Sequence, residues 1–245
     1  MLVWLALLTM PADAVKTRTV VVQAVDAAGE PVSTAAVILD DEERRNPVDH
    51  SDGTWQDQAA YLLDGSVRPF VKGLPVSGWV VAPGYEPTRF SLVVRGGTTK
   101  ERVRLPIMDV APSAVSLPNQ PEAVVVRRAL SAASDALLES DRRRAKARLN
   151  EAADARDALE GPAYIEASAA LFELRTLAAL DAWDEREKLA HRQPGDQVTR
   201  AAQISRDMTG DLALQWLAYA REAGQPTERA QKLCLLATGR PSRCD

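Results

Sequence analysis

The chain is poor in the residues that carry most enzyme chemistry. Its 245 residues include two histidines, His50 and His191, and two cysteines, Cys234 and Cys244. Neither pair has the spacing of a zinc site, and no H-E-x-x-H helix is present. There is no G-x-S-x-G elbow and no glycine-rich phosphate loop ahead of a helix. Basic excess is also missing: 30 Lys and Arg stand against 34 Asp and Glu, a net charge of −4. Up to Gln120 there are 11 basic and 14 acidic residues, and thereafter 19 and 20. Neither half has the positive surplus that nucleic-acid binding by counterion release requires. Long apolar runs are absent too. Leu2 to Met10 is too short to span a bilayer as a helix.

That run nevertheless has a meaning. It is followed by Pro11 and by Ala12-Asp13-Ala14, a small-residue cleavage pattern, so residues 1–14 read as a secretory signal peptide. The basic n-region is missing, and the alternative is a buried first strand. No cysteine stands near the cleavage point, which argues against a lipid anchor there. Export to a periplasmic or extracellular space suits the even cysteine count. One disulfide between Cys234 and Cys244 would close "CLLATGRPSRC" and hold the tail.

Composition divides the chain. Residues 15–107 are rich in Val, Thr, Gly and Pro and alternate as strands do. Residues 108–120 form a linker, the stretch "DVAPSAVSLPNQPE" around them carrying three prolines, and 121–245 are rich in Ala, Leu, Arg and Glu. The expected fold class is α+β in two domains: an N-terminal antiparallel β-sandwich, then a C-terminal all-α bundle of four or five helices. Strands are predicted at Thr19 to Val25, Ala36 to Leu39, Trp79 to Ala82, Thr88 to Val94 and up to Leu105. Turns are predicted at Asp26 and Gly29 before Pro31, at Asp52-Gly53, and at Pro83-Gly84. Short strands at this spacing fit a small sandwich.

The segments "VVVQAVDAAGEPVSTAAVIL", "SDGTW", "GLPVSGWVVAPGY" and "LVVRGGTTKERVRL" together resemble the carboxypeptidase regulatory-like domain. The resemblance covers about residues 18–106 and implies a transthyretin-like, Ig-like sandwich of an exported bacterial protein. Thr34 stands where the family often has Gly. Residues 56–73 form an excursion longer than the family's usual link, with a predicted hairpin turn at Asp64-Gly65. Insertions on a rigid sandwich are common binding sites.

In the second half, Pro121 and Glu122 suit a first helical turn, and Val125, Leu130, Ala133 and Leu137 fall near one face. A charged helix over 142–159 is expected to stop at Gly161-Pro162. The next, to Arg192, carries the broadest apolar side and should be the most buried. Asp196 should cap a fourth helix, weakened at Gly210, and Thr227 a fifth. A tetratricopeptide-like array is the alternative to a bundle, but no self-match at that period is found.

Few residues point to a site. Asp49, Asp52 and Asp57 around His50 lack the calcium-loop pattern. "DDEERR" (Asp40 to Arg45) reads as a solvated loop, and "DRRRAKAR" (Asp141 to Arg148) as a solvated, neutralised helix face. Trp55, Tyr61, Trp79 and Tyr85 would stack a sugar if exposed and fill the core if buried. With Asp64 and Arg68 they make the candidate ligand or partner surface. Glu166, Glu173 and Asp181, the carboxylates a hydrolase would use, share one side of their helix only loosely. No metal, cofactor or nucleic acid is expected. The leading expectation is a non-enzymatic envelope protein that binds or scaffolds. Its sandwich would present loops, and its helical domain would dock a protein partner. The alternative is a carbohydrate- or peptidoglycan-binding module.

Overall fold

The computed structural model describes residues 16–42, 44–49, 51–109, 111–113, 117 and 121–245. The signal-like segment, Glu43, His50 and most of the linker between 114 and 120 lie outside them, as do the side chains of Pro121 and Glu122.

Among the described residues, nine strands precede six helices. One sheet has the order β4 (Thr54–Asp57), β1 (Thr19–Val25), β9 (Thr98–Arg104). The second runs β3 (Asn46–Pro47), β2 (Ala36–Leu39), β7 (Pro75–Val81), β8 (Thr88–Val93). The excursion folds as a separate hairpin, β5 (Ala59–Tyr61) and β6 (Val67–Pro69), turning at Asp64-Gly65 with Leu62 N–H bonded to the Ser66 carbonyl at 2.9 Å. One pairing departs from the expected antiparallel sandwich. β1 and β9 run parallel, from Thr19↔Thr98 to Val25↔Arg104. These two strands are distant in sequence, so no hairpin dictates their relative direction.

The predicted turns act as fasteners. Asp26 Oδ1 accepts from Glu30 N–H at 2.9 Å, Gly29 N–H bonds back to the Asp26 carbonyl, and Pro31 bridges to Val25. Asp52 Oδ1 accepts from Thr54 N–H at 2.9 Å, and the Gly53 carbonyl accepts from Ala24. At Pro83-Gly84, Tyr85 N–H returns to the Ala82 carbonyl, and the Gly84 carbonyl accepts from Met108.

β2 explains how the halves are joined. Successive strand residues point to opposite faces, yet all four of "AVIL" are buried. Val37 and Leu39 face the sandwich core with Val20, Val22, Phe70, Val80 and Leu105. Ala36 and Ile38 face the other way with Val81, into a core shared with Trp183, Trp216, Leu217, Leu233 and Leu236 of the helical half. The outer face of the second sheet is therefore covered by helices.

The helices are α1 (Pro121–Leu138), α2 (Arg142–Arg156), α3 (Gly161–Arg192), α4 (Asp196–Glu222), α5 (Glu228–Thr238) and a single turn, α6 (Pro241–Cys244). α3 is the spine. Leu171 and Leu174 pack into a cluster with α1 and α2, whereas Phe172, Leu180 and Trp183 pack into the cluster with α4, α5 and the sheet. Two boundary expectations change. Gly195, not Asp196, occupies the N-cap of α4, and Thr227 caps α5 without a side-chain hydrogen bond. Gly210 has a packing role: an added Cβ would sit 3.1 Å from Thr238 Cγ2, so the glycine lets α5 approach α4. Cys234 and Cys244 are disulfide-bonded, with Cα atoms 5.7 Å apart. No helix among the described residues is long and apolar enough to cross a membrane.

Candidate functional site

The sequence-predicted surface does not assemble. Trp55 pairs with Val22 across β4 and β1 and lies in the sandwich core, 6% exposed. Trp79 lies on the outer face of β7 against the shared core, with the Arg89 guanidinium 5.3 Å from its ring. Tyr85 packs against the opposite core. Tyr61 is exposed, and Arg44 lies 5.1 Å from its ring. Arg68 pairs with Asp41, and Asp64 accepts from Ser66 N–H at 2.9 Å. The two bonds from Ser66 lower the Asp64 pKa. These side chains occupy different sheets and faces, so the aromatic row a sugar would need is not formed.

The acidic stretch after β2 is a clamp rather than a solvated loop. Asp40 holds Ser77 at 2.6 Å and Arg89 at 2.8 Å. Glu42 is buried and accepts from Tyr61 N–H and Asn46 Nδ2, both at 2.6 Å. The hairpin is thus fastened to the main sandwich by a carboxylate whose burial the sequence does not signal. The Asp49, Asp52 and Asp57 carboxylates each accept from backbone amides of neighbouring turn residues. Among the described residues, no group of three or more His, Cys, Asp or Glu is placed to hold a metal ion. On α2 three of the five cations of the basic run are paired: Arg142 binds Asp181 and Glu185, Arg144 binds Glu139, and Arg148 binds Glu151.

A cleft of about 480 Å³ lies where the sandwich meets the helices. Its walls come from the β7–β8 turn, the segment after β9, one face of α3, Trp216 of α4, the α4–α5 loop, and α5. Glu166 and Glu173 both line it, two helical turns apart. Asp181 does not, being taken by Arg142. Met108, Leu174 and Trp216 give the cleft an apolar share.

Both cations of the cleft are paired with carboxylates. Glu173, buried at 7% exposure, accepts from the Ser113 amide at 2.8 Å and from Arg229 Nη1 at 3.1 Å, both on Oε1. Arg229 keeps Nε and Nη2 out of solvent with no hydrogen-bond partner. Lys232 stands between Glu228 Oε1 at 3.1 Å and Glu86 Oε2 at 3.5 Å. Its pKa is raised, first by the hydrogen bond it donates to Glu228 and then by the charge of Glu86, against an opposing cost of burial. The spacing of Glu228 and Lys232 is the i, i+4 helix pairing. The partner from the sandwich, Glu86, carried no sequence signal, because 146 residues separate it from Lys232.

Chemically, the lining sets five carboxylates, Glu86, Asp109, Glu166, Glu173 and Glu228, against Arg229 and Lys232, so it is net acidic beside its apolar share. Glu173 is committed to a cation and an amide, which is the setting of a structural carboxylate rather than of a base waiting for a proton. No family model matches the chain, and no curated protein matches it either.

Proposed function

We propose that the protein is an exported, non-enzymatic binding module of the cell envelope, and that the junction cleft takes a polypeptide segment of a protein partner. The observation that carries this reading is the Lys232 bridge between Glu86 of the sandwich and Glu228 of α5. It rims the cleft with both signs of charge, which suits a peptide bearing charged side chains over an apolar contact. The core shared by the two halves supports a cleft that is already formed before a partner arrives. The Cys234–Cys244 bond supports an oxidising compartment, where such bonds persist. The carboxypeptidase regulatory-like reading of the sandwich rests on the turns at Asp26 to Gly29, Asp52-Gly53 and Pro83-Gly84.

The test has two arms. The mature N-terminus of the protein from fractionated cells should begin near residue 15, in the envelope fraction. A photo-crosslinker at Gln225, on the cleft wall, should capture one defined protein, and the same probe at Arg95, remote from the cleft, should not. Lys232→Glu places three carboxylates together and should abolish that crosslink. An uncleaved chain in the cytoplasm overturns the compartment. Equal crosslinking from both probes, or no effect of Lys232→Glu, overturns the cleft.

A further inference from the structure

A second cavity, sharing no residue with the junction cleft, gathers arginines from three distant stretches of chain. It measures about 410 Å³. Arg44 and Arg45 come from the loop after β2, Arg206 from α4, and Arg240 and Arg243 from the segment closed by the disulfide. Asp207 and Asp211 are the acidic residues on its wall, so five arginines against two aspartates leave a surplus of three positive charges. The whole chain carries −4.

Little of this charge is compensated internally. Arg206 pairs with Asp207 at 3.1 Å. Arg44 spends Nε and Nη2 on the Asn46 side-chain oxygen, at 3.0 and 2.8 Å, and Arg45 spends Nη1 on the Leu236 carbonyl. These acceptors are neutral. Glu187 faces Arg45, but its carboxylate also accepts from Trp183 Nε1 at 2.9 Å. Among the described residues, neither Arg240 nor Arg243 forms an ion pair, and both are exposed. Burial, and next the charge of Arg206, pull the Arg45 pKa down to about 10, which leaves it charged at neutral pH. The cavity thus concentrates like charges that repel one another, and a multiply charged anion would relieve that repulsion.

We propose that this cavity binds a phosphate group, held by the guanidinium forks of Arg240 and Arg243 from the disulfide loop, with Arg44 of the sandwich adding its charge while its Nε and Nη2 stay on Asn46. Guanidinium forks match phosphate oxygens in pairs, and convergence of several arginines selects a dianion over a single carboxylate. The disulfide has a part in the site. It closes residues 234–244, fixing both loop arginines opposite the sandwich loop. Reduction frees that segment and weakens the site.

Titration with inorganic pyrophosphate at constant ionic strength, read by tryptophan fluorescence, tests the proposal. Arg45 lies 5.4 Å from the Trp183 ring, so an anion beside Arg45 should perturb that indole. The double variant Arg240→Gln, Arg243→Gln lies on the exposed loop and should fold. It should weaken binding by tenfold or more, about the loss of one charge-assisted bond. Arg95→Gln, remote from the cavity, should leave binding unchanged. Reduced protein, checked for retained helix by circular dichroism, should bind more weakly than oxidised protein. Vesicles of phosphatidylglycerol distinguish the source of the phosphate. Binding to pyrophosphate assigns a free anion, and binding to vesicles alone assigns a lipid headgroup, provided the double variant abolishes it. Binding to neither probe, or equal weakening by Arg95→Gln, overturns the site.

Discussion

Arg45 passes directly over Gly239: a Cβ on Gly239 would stand 2.7 Å from Arg45 Cγ. Beyond that crossing, the guanidinium reaches the Leu236 carbonyl and the face of Trp183. A loop of the sandwich is thereby seated in the helical domain through a gap that only glycine leaves open. Gly239 also ends α5 at φ +67, with its N–H on the Leu235 carbonyl. Gly239→Ala should cost about 1–3 kcal/mol, combining the left-handed backbone penalty with the clash. In an Arg45→Ala background the clash disappears and only the backbone share remains. Urea unfolding of the four proteins separates the two. An equal penalty in both backgrounds means that the crossing does not constrain Gly239.

Gly78 is constrained by backbone rather than by a side chain. An added Cβ would lie 2.2 Å from the Ile38 carbonyl oxygen, so β2 and β7 must part to admit it. A flexible neighbour could swing away, but a ladder carbonyl cannot. Gly78→Ala should destabilise by about 1–3 kcal/mol with little change in denaturant slope. A loss below about 0.5 kcal/mol, the range of ordinary surface substitutions, contradicts the close approach.

These two glycines show what the sequence reveals and what it hides. Alternation of Val20, Val22 and Ala24 located β1, and the apolar side of α3 marked it as buried, because such patterns are local consequences of burial. The four-residue apolar run of β2 was visible, but its cause, burial on both faces, needed the helical cover that the sequence does not locate. Glu86 against Lys232, Tyr61 against Glu42 and Leu236 against Arg45 are joined across long stretches of chain, so no spacing rule finds these contacts. Trp55 and Tyr61, six residues apart, have opposite fates, one core and one exposed. Composition alone cannot separate them. The arginines of the second cavity are singly unremarkable in a chain this rich in arginine, and only the folded arrangement of the disulfide loop, the β2–β3 loop and α4 brings them together.

The disulfide should stabilise mainly by restricting the unfolded chain. Its cysteines are ten residues apart in sequence. A loop of that size corresponds to roughly 2–3 kcal/mol in the chain-entropy treatment. The double variant Cys234→Ala, Cys244→Ala should lose about that much, and a reducing agent should lower the wild-type midpoint without moving that of the variant. Cys234 is fully buried, so Cys234→Ser would add the cost of a buried hydroxyl and is the poorer probe.

Glu173 should act as a fastener whose partner becomes a liability once it is gone. Glu173→Leu frees the Ser113 amide and takes from Arg229 the carboxylate it pairs with. The cost should be about 1–3 kcal/mol, toward the lower end because the Arg229 side chain keeps 26% exposure. Replacing both, Glu173→Leu with Arg229→Leu, should recover part of that loss, since a paired charge removed together leaves nothing uncompensated. Cleavage within residues 108–120 by a protease of broad specificity should be faster in Glu173→Leu than in the wild type. If the double variant is less stable than the single, Arg229 is held by something other than Glu173.

Acid should loosen the contact of α2 with α3, and the sign follows from Glu185. Its carboxyl is held below the ordinary value of 4.5, first by the hydrogen bond from Arg142, with the charges of Arg142 and Lys188 adding to it. The folded state therefore binds that proton less readily than the unfolded state does. The stabilisation is fully present above pH 4.5 and is lost as pH falls through the lower folded value. Arg142, whose own pKa is raised by Glu185 and Asp181, stays charged throughout. Glu185→Gln removes the titrating group but leaves the helix surface otherwise intact. Between about pH 5 and about pH 3 the melting temperature of Glu185→Gln should fall less steeply than that of the wild type. Because Glu185 and Arg142 are solvent-exposed, added salt should narrow the difference. Asp64, whose bonds are local to its own turn, contributes equally to both proteins and cancels in the comparison. Parallel curves for the two proteins would mean that the ion pair does not fasten α2 to α3.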